Sequence, residues 1–221
     1  MTKQAPGIRY IQPSESFFEI PGVVYRGKTG TYRLFEKMTD SMTQEQLAEF
    51  YEKEKSKGNP HPMDSVLHFA IPSAAYRLRN ESPEEAEKLR VFLQRGFEQA
   101  PNTLTRAIYN PSGDDEIIHN YGTSDQYFLR ENIVGSDNWI ADISDKNVLE
   151  SLLGTKDVVK INEVSQWINR TNSYLWRLNS KSPTKKEERV ARFGALSDRL
   201  VLDCDRDPLD EYPAFRVLRV K

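Results

Sequence analysis

Apolar and polar positions alternate through "GVVYRGKTGTYRLF", around Gly27 and Gly30, which predicts a hairpin within an opening stretch of short strands and turns. The period then changes. Leu47, Phe50 and Tyr51 form a short apolar stripe at helical spacing, with a capping-box pair at Thr43 and Gln46 in front of it. Gly58, Pro60 and Pro62 end that helix. A second helix opens at Ser82 and Glu85, again a capping-box pair, with Pro83 at the first helical position. It carries Leu89, Phe92, Leu93 and Phe97 on one face and stops at Pro101. Between the two, "DSVLHFAIPSAAYRLR" is apolar enough to be buried, but its pattern does not decide between helix and strand.

Beyond Pro101, "TLTRAIYN", "DEIIHNYG" and "NWIADI" read as strands separated by Gly, Asn, Ser and Asp turns. "SDKNVLESLLG" predicts a short helix capped by Ser144 and stopped by Gly154, while "KINEVSQWI" stays open between a strand edge and another helix. From Tyr174 onward strands alternate with long connections, one of them the charged stretch "SKSPTKKEER", read as a solvated loop. No internal repeat or low-complexity tract interrupts the chain. The expected class is α+β: residues 1–100 as an N-terminal helical and strand region, residues 101–221 as a β-rich region. The pattern leaves open whether the two are continuous.

Composition narrows the classes. The chain has 221 residues, 38% hydrophobic and 10% aromatic, enough to build a core despite a mean hydropathy of -0.68. A net charge of -2 argues against a nucleic-acid coat protein, and no nucleic-acid partner is expected. One cysteine excludes an internal disulfide and any Cys-rich zinc site. The N-terminal stretch lacks a basic region followed by an apolar run, and no stretch of about eighteen apolar residues occurs. The expectation is a protein without membrane insertion that is not exported by a cleaved signal; an exposed particle released by lysis is one destination and the cytoplasm the alternative.

The densest chemistry lies in "RLVLDCDRDPLDEYPAFRVLRVK", Arg199 to Lys221. Asp203, Asp205 and Asp207 make D-x-D-x-D, the opening of a calcium loop. The sixth and twelfth positions hold Pro208 and Ala214 where an EF-hand needs glycine and a carboxylate, so no EF-hand is expected and no metal is assigned, looser carboxylate coordination of a cation being the alternative. Cys204 falls on the inward side of the alternation Leu200, Leu202, Cys204 and reads as a small buried hydrophobe. None of the histidines, His61, His68 and His119, can be placed beside it to activate a thiol. No dinucleotide, phosphate-loop, zincin or nucleophile-elbow motif appears, and the carboxylate pair Asp114–Asp115 is uninformative in so acidic a chain. Trp139, Trp167 and Trp176 read as core. By the same alternation Arg199, Val201 and Asp203 face outward, and an outward valine serves no evident solubility purpose. Between Asp198 and Glu211, six acids stand against two bases, which on composition alone describes an acidic solvated hairpin.

The order "YLWRLNS … RVARFGALSDRLVLDCDRDPLDEYPAFRVLRV" resembles the C-terminal half of a C-type-lectin-like domain of the formylglycine-generating-enzyme type. The carriers are Trp176, Arg177 and Leu178, then Val190 to Ala195, then Phe215 to Val220. More specifically it is similar to the variable proteins of diversity-generating retroelements, of the archaeal viral kind. In those systems a reverse transcriptase rewrites adenines in a C-terminal repeat, so that AAC-type codons become many residues but never stops. The tail interleaves fixed-looking Phe193, Gly194, Ala195, Leu200, Leu202, Cys204, Pro208, Pro213, Ala214 and Phe215 with residues reachable from AAC. The latter are Leu196, Asp198, Arg199, Val201, Asp203, Asp205, Arg206, Asp207, Asp210 and Tyr212. The match covers the last fifty or so residues well, weakens upstream, and does not reach the first hundred.

The resemblance implies a binding protein, with no cofactor and no catalytic residue, whose replaceable side chains meet a protein or cell-surface ligand during virus–host attachment. Tyr212 is the expected aromatic anchor, and Arg199 and Arg206 the charged contacts. The single cysteine departs from the paired active-site cysteines of formylglycine-generating enzymes, and the Glu-Pro-Asn or Gln-Pro-Asp signature of calcium-dependent lectins is missing. The alternatives are a pocket enzyme on the same fold built around His119 and nearby carboxylates, and a structural particle subunit.

Overall fold

The hairpin forms where the alternation places it. In the computed structural model, which describes residues 7–12, 14–178 and 180–220, strand β2 (Phe17–Tyr25) turns through Arg26 and Gly27 into β3 (Lys28–Phe35). Arg26 and Gly27 have φ of 51° and 71°, the positive values a two-residue turn needs to match the strand twist. β1 (Arg9–Ile11) pairs with β2, and β11 (Arg216–Arg219), the last strand, pairs with β3. The sheet order β1-β2-β3-β11 therefore ties the end of the chain to its beginning. Of the stretch read for a leader, residues 1–6 lie outside the described residues.

Helix α1 (Gln44–Ser56) has both bonds of the predicted capping box: Thr43 Oγ1 accepts from Gln46 N, and Gln46 Oε1 accepts from Thr43 N. Helix α3 (Pro83–Glu98) begins at Ser82 as expected, but the Ser82 hydroxyl makes no cap bond. It lies against Gly7, where even a Cβ would come within 2.0 Å of it. The undecided stretch is helix α2 (Ser65–Leu78), capped by Asp64 and packed against β2, α3 and strand β4 (Asn102–Tyr109). Ten of its residues are buried, on every side of the helix. A helix apolar all round has no amphipathic period to read.

The second sheet has seven strands in the order β6-β5-β4-β9-β10-β8-β7. β5 is Glu116–His119, β6 Tyr127–Arg130, β7 Asn138–Trp139, β8 Ser173–Trp176, β9 Glu187–Ala195 and β10 Leu200–Arg206. Only β8 and β10 run parallel. "NWIADI" is a strand for two residues and then a 3₁₀ turn over Ile140–Asp142. Helix α4 (Asn147–Leu153) stops at Gly154 with φ 71°, as predicted, but Ser144 does not cap it; Asp145 Oδ1 accepts from Asn147 N instead. "KINEVSQWI" belongs to helix α5 (Val158–Asn169). The solvated loop of "SKSPTKKEER" ends earlier than expected, because Glu187–Arg189 already pair with Ile108, Ala107 and Tyr109 of β4.

One apolar core runs from Ile8 through α2, α3 and both sheets to Val217, so residues 1–100 and the β-rich region share it. The fold is mixed α+β. Phe215, just before β11, sits fully buried among Phe92, Phe97 and His68. Its ring passes over Gly96 of α3, where a Cβ would lie 2.1 Å from Phe215 Cζ. No helix among the described residues is long and apolar enough to cross a membrane.

Candidate ligand-binding face

The pairing of β8, β9 and β10 decides which tail residues stand together. Leu202 lies abreast of Leu175 and Phe193, and all three are buried in the core. One residue along, Val201 lies abreast of Tyr174 and Gly194, and Asp203 abreast of Trp176 and Arg192. Because successive side chains alternate across a sheet, these two rows share the face opposite Leu202. The alternation read from "DRLVLDC" is therefore correct about faces.

It is not correct about exposure. Val201 and Asp203 are each only 4% exposed. They help line a concavity of about 130 Å³, closed on one side by Phe97, Glu98 and Ala100 at the end of α3. Leu196 and Trp176 rise at its rim, 49% and 39% exposed. Trp176 was expected in the core; it and the half-buried Trp139 and Trp167 are all partly open.

Asp203 is the electrostatic centre. Its Oδ2 accepts from Arg206 Nε at 2.6 Å and from Arg192 Nε at 3.3 Å. The Arg192 guanidinium in turn lies 4.3 Å above the Tyr212 ring. A buried carboxylate held by two guanidiniums is satisfied in charge and fixed in place. Arg199 sits at the other end of the face, 4.7 Å over Tyr174 and 5.2 Å over Trp139, with Asp198 bonded to it.

Leu196, Val201, Asp203 and Arg206 thus meet at the concavity, with Arg199 and Tyr212 beside partners on the same sheet face. The other four candidates stand apart. Asp198 is exposed in the turn closed by Leu196 N and Arg199 O. A register shift between Asp203 and Arg206 directs Asp205 to Arg189, and burial raises its carboxyl above the usual range. Asp207 accepts from Leu209 N and Asp210 N closes on Asp207 O, a local turn. The three aspartates of D-x-D-x-D consequently engage different partners. Tyr212, expected exposed, is half-buried under Arg192, and its backbone bonds both ways to Met42.

Sequence reasoning passed over Arg192, Tyr174 and Trp139 as site residues. Arg192 sits inside a segment read as fixed scaffold, and only the strand register puts it opposite Asp203. Of the ten fixed-looking residues, Phe193, Leu200, Leu202, Cys204, Ala214 and Phe215 are buried, while Gly194, Ala195, Pro208 and Pro213 are partly exposed. Burial pushes the Cys204 thiol well above its usual range, which keeps it protonated.

His119 is enclosed. Its Nε2 donates to Ser151 O at 2.8 Å and its Nδ1 lies 3.0 Å from Thr105 Oγ1, a neutral ring with both nitrogens engaged; burial lowers its affinity for a proton. Asp115, one of the uninformative pair, accepts from the backbone N–H groups of Asn110, Ile133 and Val134 and so ties loops together. No family model, no curated protein and no solved structure matches the chain.

Proposed function

We propose that the protein is a binding protein that presents replaceable side chains from a fixed β-sheet frame. On this reading it is a retroelement-diversified variable protein on a C-type-lectin-like scaffold, serving virus–host attachment. One observation carries it. Within β10, Val201 and Asp203 of the replaceable set project to one face, into a concavity shared with Leu196 and Arg206, while the interleaved Leu200, Leu202 and Cys204 fill the core. A face built in this way keeps the replaceable side chains on the side of the sheet opposite the Leu200, Leu202 and Cys204 packing.

Rigidity supports the same reading. β10 is held between β8 and β9, and the following strand β11 is pinned to β3. A fixed frame lowers the ordering cost of binding, and Tyr, Trp and Arg supply the contacts. In this variant, Trp176 and Leu196 offer apolar contact beside the Asp203–Arg206 and Asp203–Arg192 pairs, which suits a polar protein surface with an apolar centre.

Val201→Asp and Leu202→Asp separate display from core. Both positions are buried, so a plain core reading predicts collapse for both. Display into an open concavity predicts that Val201→Asp melts cooperatively and loses only about 1 kcal/mol, whereas Leu202→Asp does not fold. Thermal melts followed by circular dichroism read the difference; an unfolded Val201→Asp contradicts the assignment.

A further inference from the structure

A partly open cavity of about 460 Å³ shares no lining residue with the tail concavity. Its walls come from the β2–β3 hairpin, α1, the segment before α2, the loop after β5 and the end of β11. The size falls within the range of small-molecule sites.

Its floor is ring-bearing and locked. Tyr25 donates to Asp64 Oδ2 at 2.6 Å and receives Asn120 Nδ2 at 3.1 Å. Tyr51 donates to Asp125 Oδ2, which also takes Lys55 Nζ at 2.6 Å. Asp125, the carboxylate among the lining residues, is thus paired with Lys55, while the buried Asp64 behind Tyr25 is held by hydroxyl and backbone donors, Tyr25, Tyr127 and Leu67 N. His61 packs edge-on against Tyr51, and burial favours its neutral form.

Of the four cations that line the cavity, Lys55 is paired with Asp125 and the other three carry no ion pair among the described residues. Arg26, Lys28 and Arg219 also line it, and among the described residues none of them pairs with a carboxylate. Arg26 lies 4.0 Å over the Tyr127 ring. Arg219 crosses β3 at Gly30, where a Cβ would sit 3.2 Å from its Nε, and so lies beside the Tyr32 ring. Three unpaired cations around tyrosine rings, in a chain of net charge -2, form a local field opposite to that of the whole.

We infer that this cavity binds a small ring-bearing phosphate monoester, its ring against the tyrosines and its phosphate between Arg26, Lys28 and Arg219. A phosphate monoester carries close to two negative charges at neutral pH, which three cations match better than they match a single carboxylate. Arginine's planar fork suits its oxygens, and lysine adds a point charge. Inorganic phosphate alone leaves most of the cavity unfilled.

Isothermal titration tests this with the ribonucleoside monophosphates, a hexose phosphate, adenosine and inorganic phosphate. The proteins are the wild type, Arg219→Gln, Lys28→Gln and, outside both the cavity and the tail face, Lys185→Gln. The expected result is a Kd below about 1 mM for at least one ring-bearing phosphate. Adenosine and inorganic phosphate bind at least about tenfold more weakly, each cavity variant loses about tenfold, and Lys185→Gln loses nothing. Thermal melts confirm that the variants, at exposed positions, are folded. The inference is overturned if no ring-bearing phosphate binds at millimolar concentration, if inorganic phosphate binds as tightly, or if the cavity variants bind like wild type.

Discussion

His68 shows how burial alone sets a residue's chemistry. It is enclosed by Phe97, Phe193 and Phe215, and neither ring nitrogen has a hydrogen-bond partner. Burial pushes its pKa down to about 3. The unfolded chain takes up this proton as pH falls through about 6.5, and the folded protein refuses it until about 3. Stability is therefore complete above pH 6.5 and is lost as pH falls toward 3; His61 and His119, also lowered, act in the same direction. His68→Leu, close in volume, removes the largest of these contributions. Urea titrations at pH 7 and pH 5 should show the variant gaining on the order of 2 kcal/mol over wild type between the two; parallel losses in both proteins contradict the assignment. Tyr212 makes a second residue-scale case. Tyr212→Ala removes the ring beneath Arg192 but keeps the backbone bonds to Met42. It should cost about 1 kcal/mol in a thermal melt, and loss of folding would remove Tyr212 from the replaceable set.

At the scale of elements, the joint between α3 and the last strand is the tightest. Gly96 exists so that the Phe215 ring can cross the helix, with a Cβ there falling 2.1 and 2.6 Å from ring carbons. Gly96→Ala gains helix propensity of about 1 kcal/mol. It nevertheless overpacks a ring that has no free direction, and a net loss of about 2 kcal/mol is expected by chemical denaturation. A more stable variant would show that Phe215 can move. The elements also show what a sequence can carry. The hairpin at Arg26–Gly27, the Thr43–Gln46 box and the Gly154 stop were legible because their chemistry is local. Helix α2 was not, because its side chains are apolar all round. Neither was α5, whose short segment has strand-like and helix-like readings until tertiary packing chooses.

Across the whole molecule, two sheets share one core, and the chain's last strand closes onto its first hairpin. The candidate face depends on this closure, since β10 is held from both sides before β11 returns to β3. Sequence alternation identified the correct face for Val201 and Asp203. It missed their burial, which comes from the end of α3, and it missed Arg192, which only the register places. A tail face made to vary is tested most directly by sequencing the codons for residues 190–221 across a natural population. The expected result is substitutions confined to Leu196, Asp198, Arg199, Val201, Asp203, Asp205, Arg206, Asp207, Asp210 and Tyr212, at adenines of a nearby template copy, with Leu200, Leu202, Cys204 and Phe215 unchanged. A uniform tail, or changes spread evenly over core and face, would contradict it.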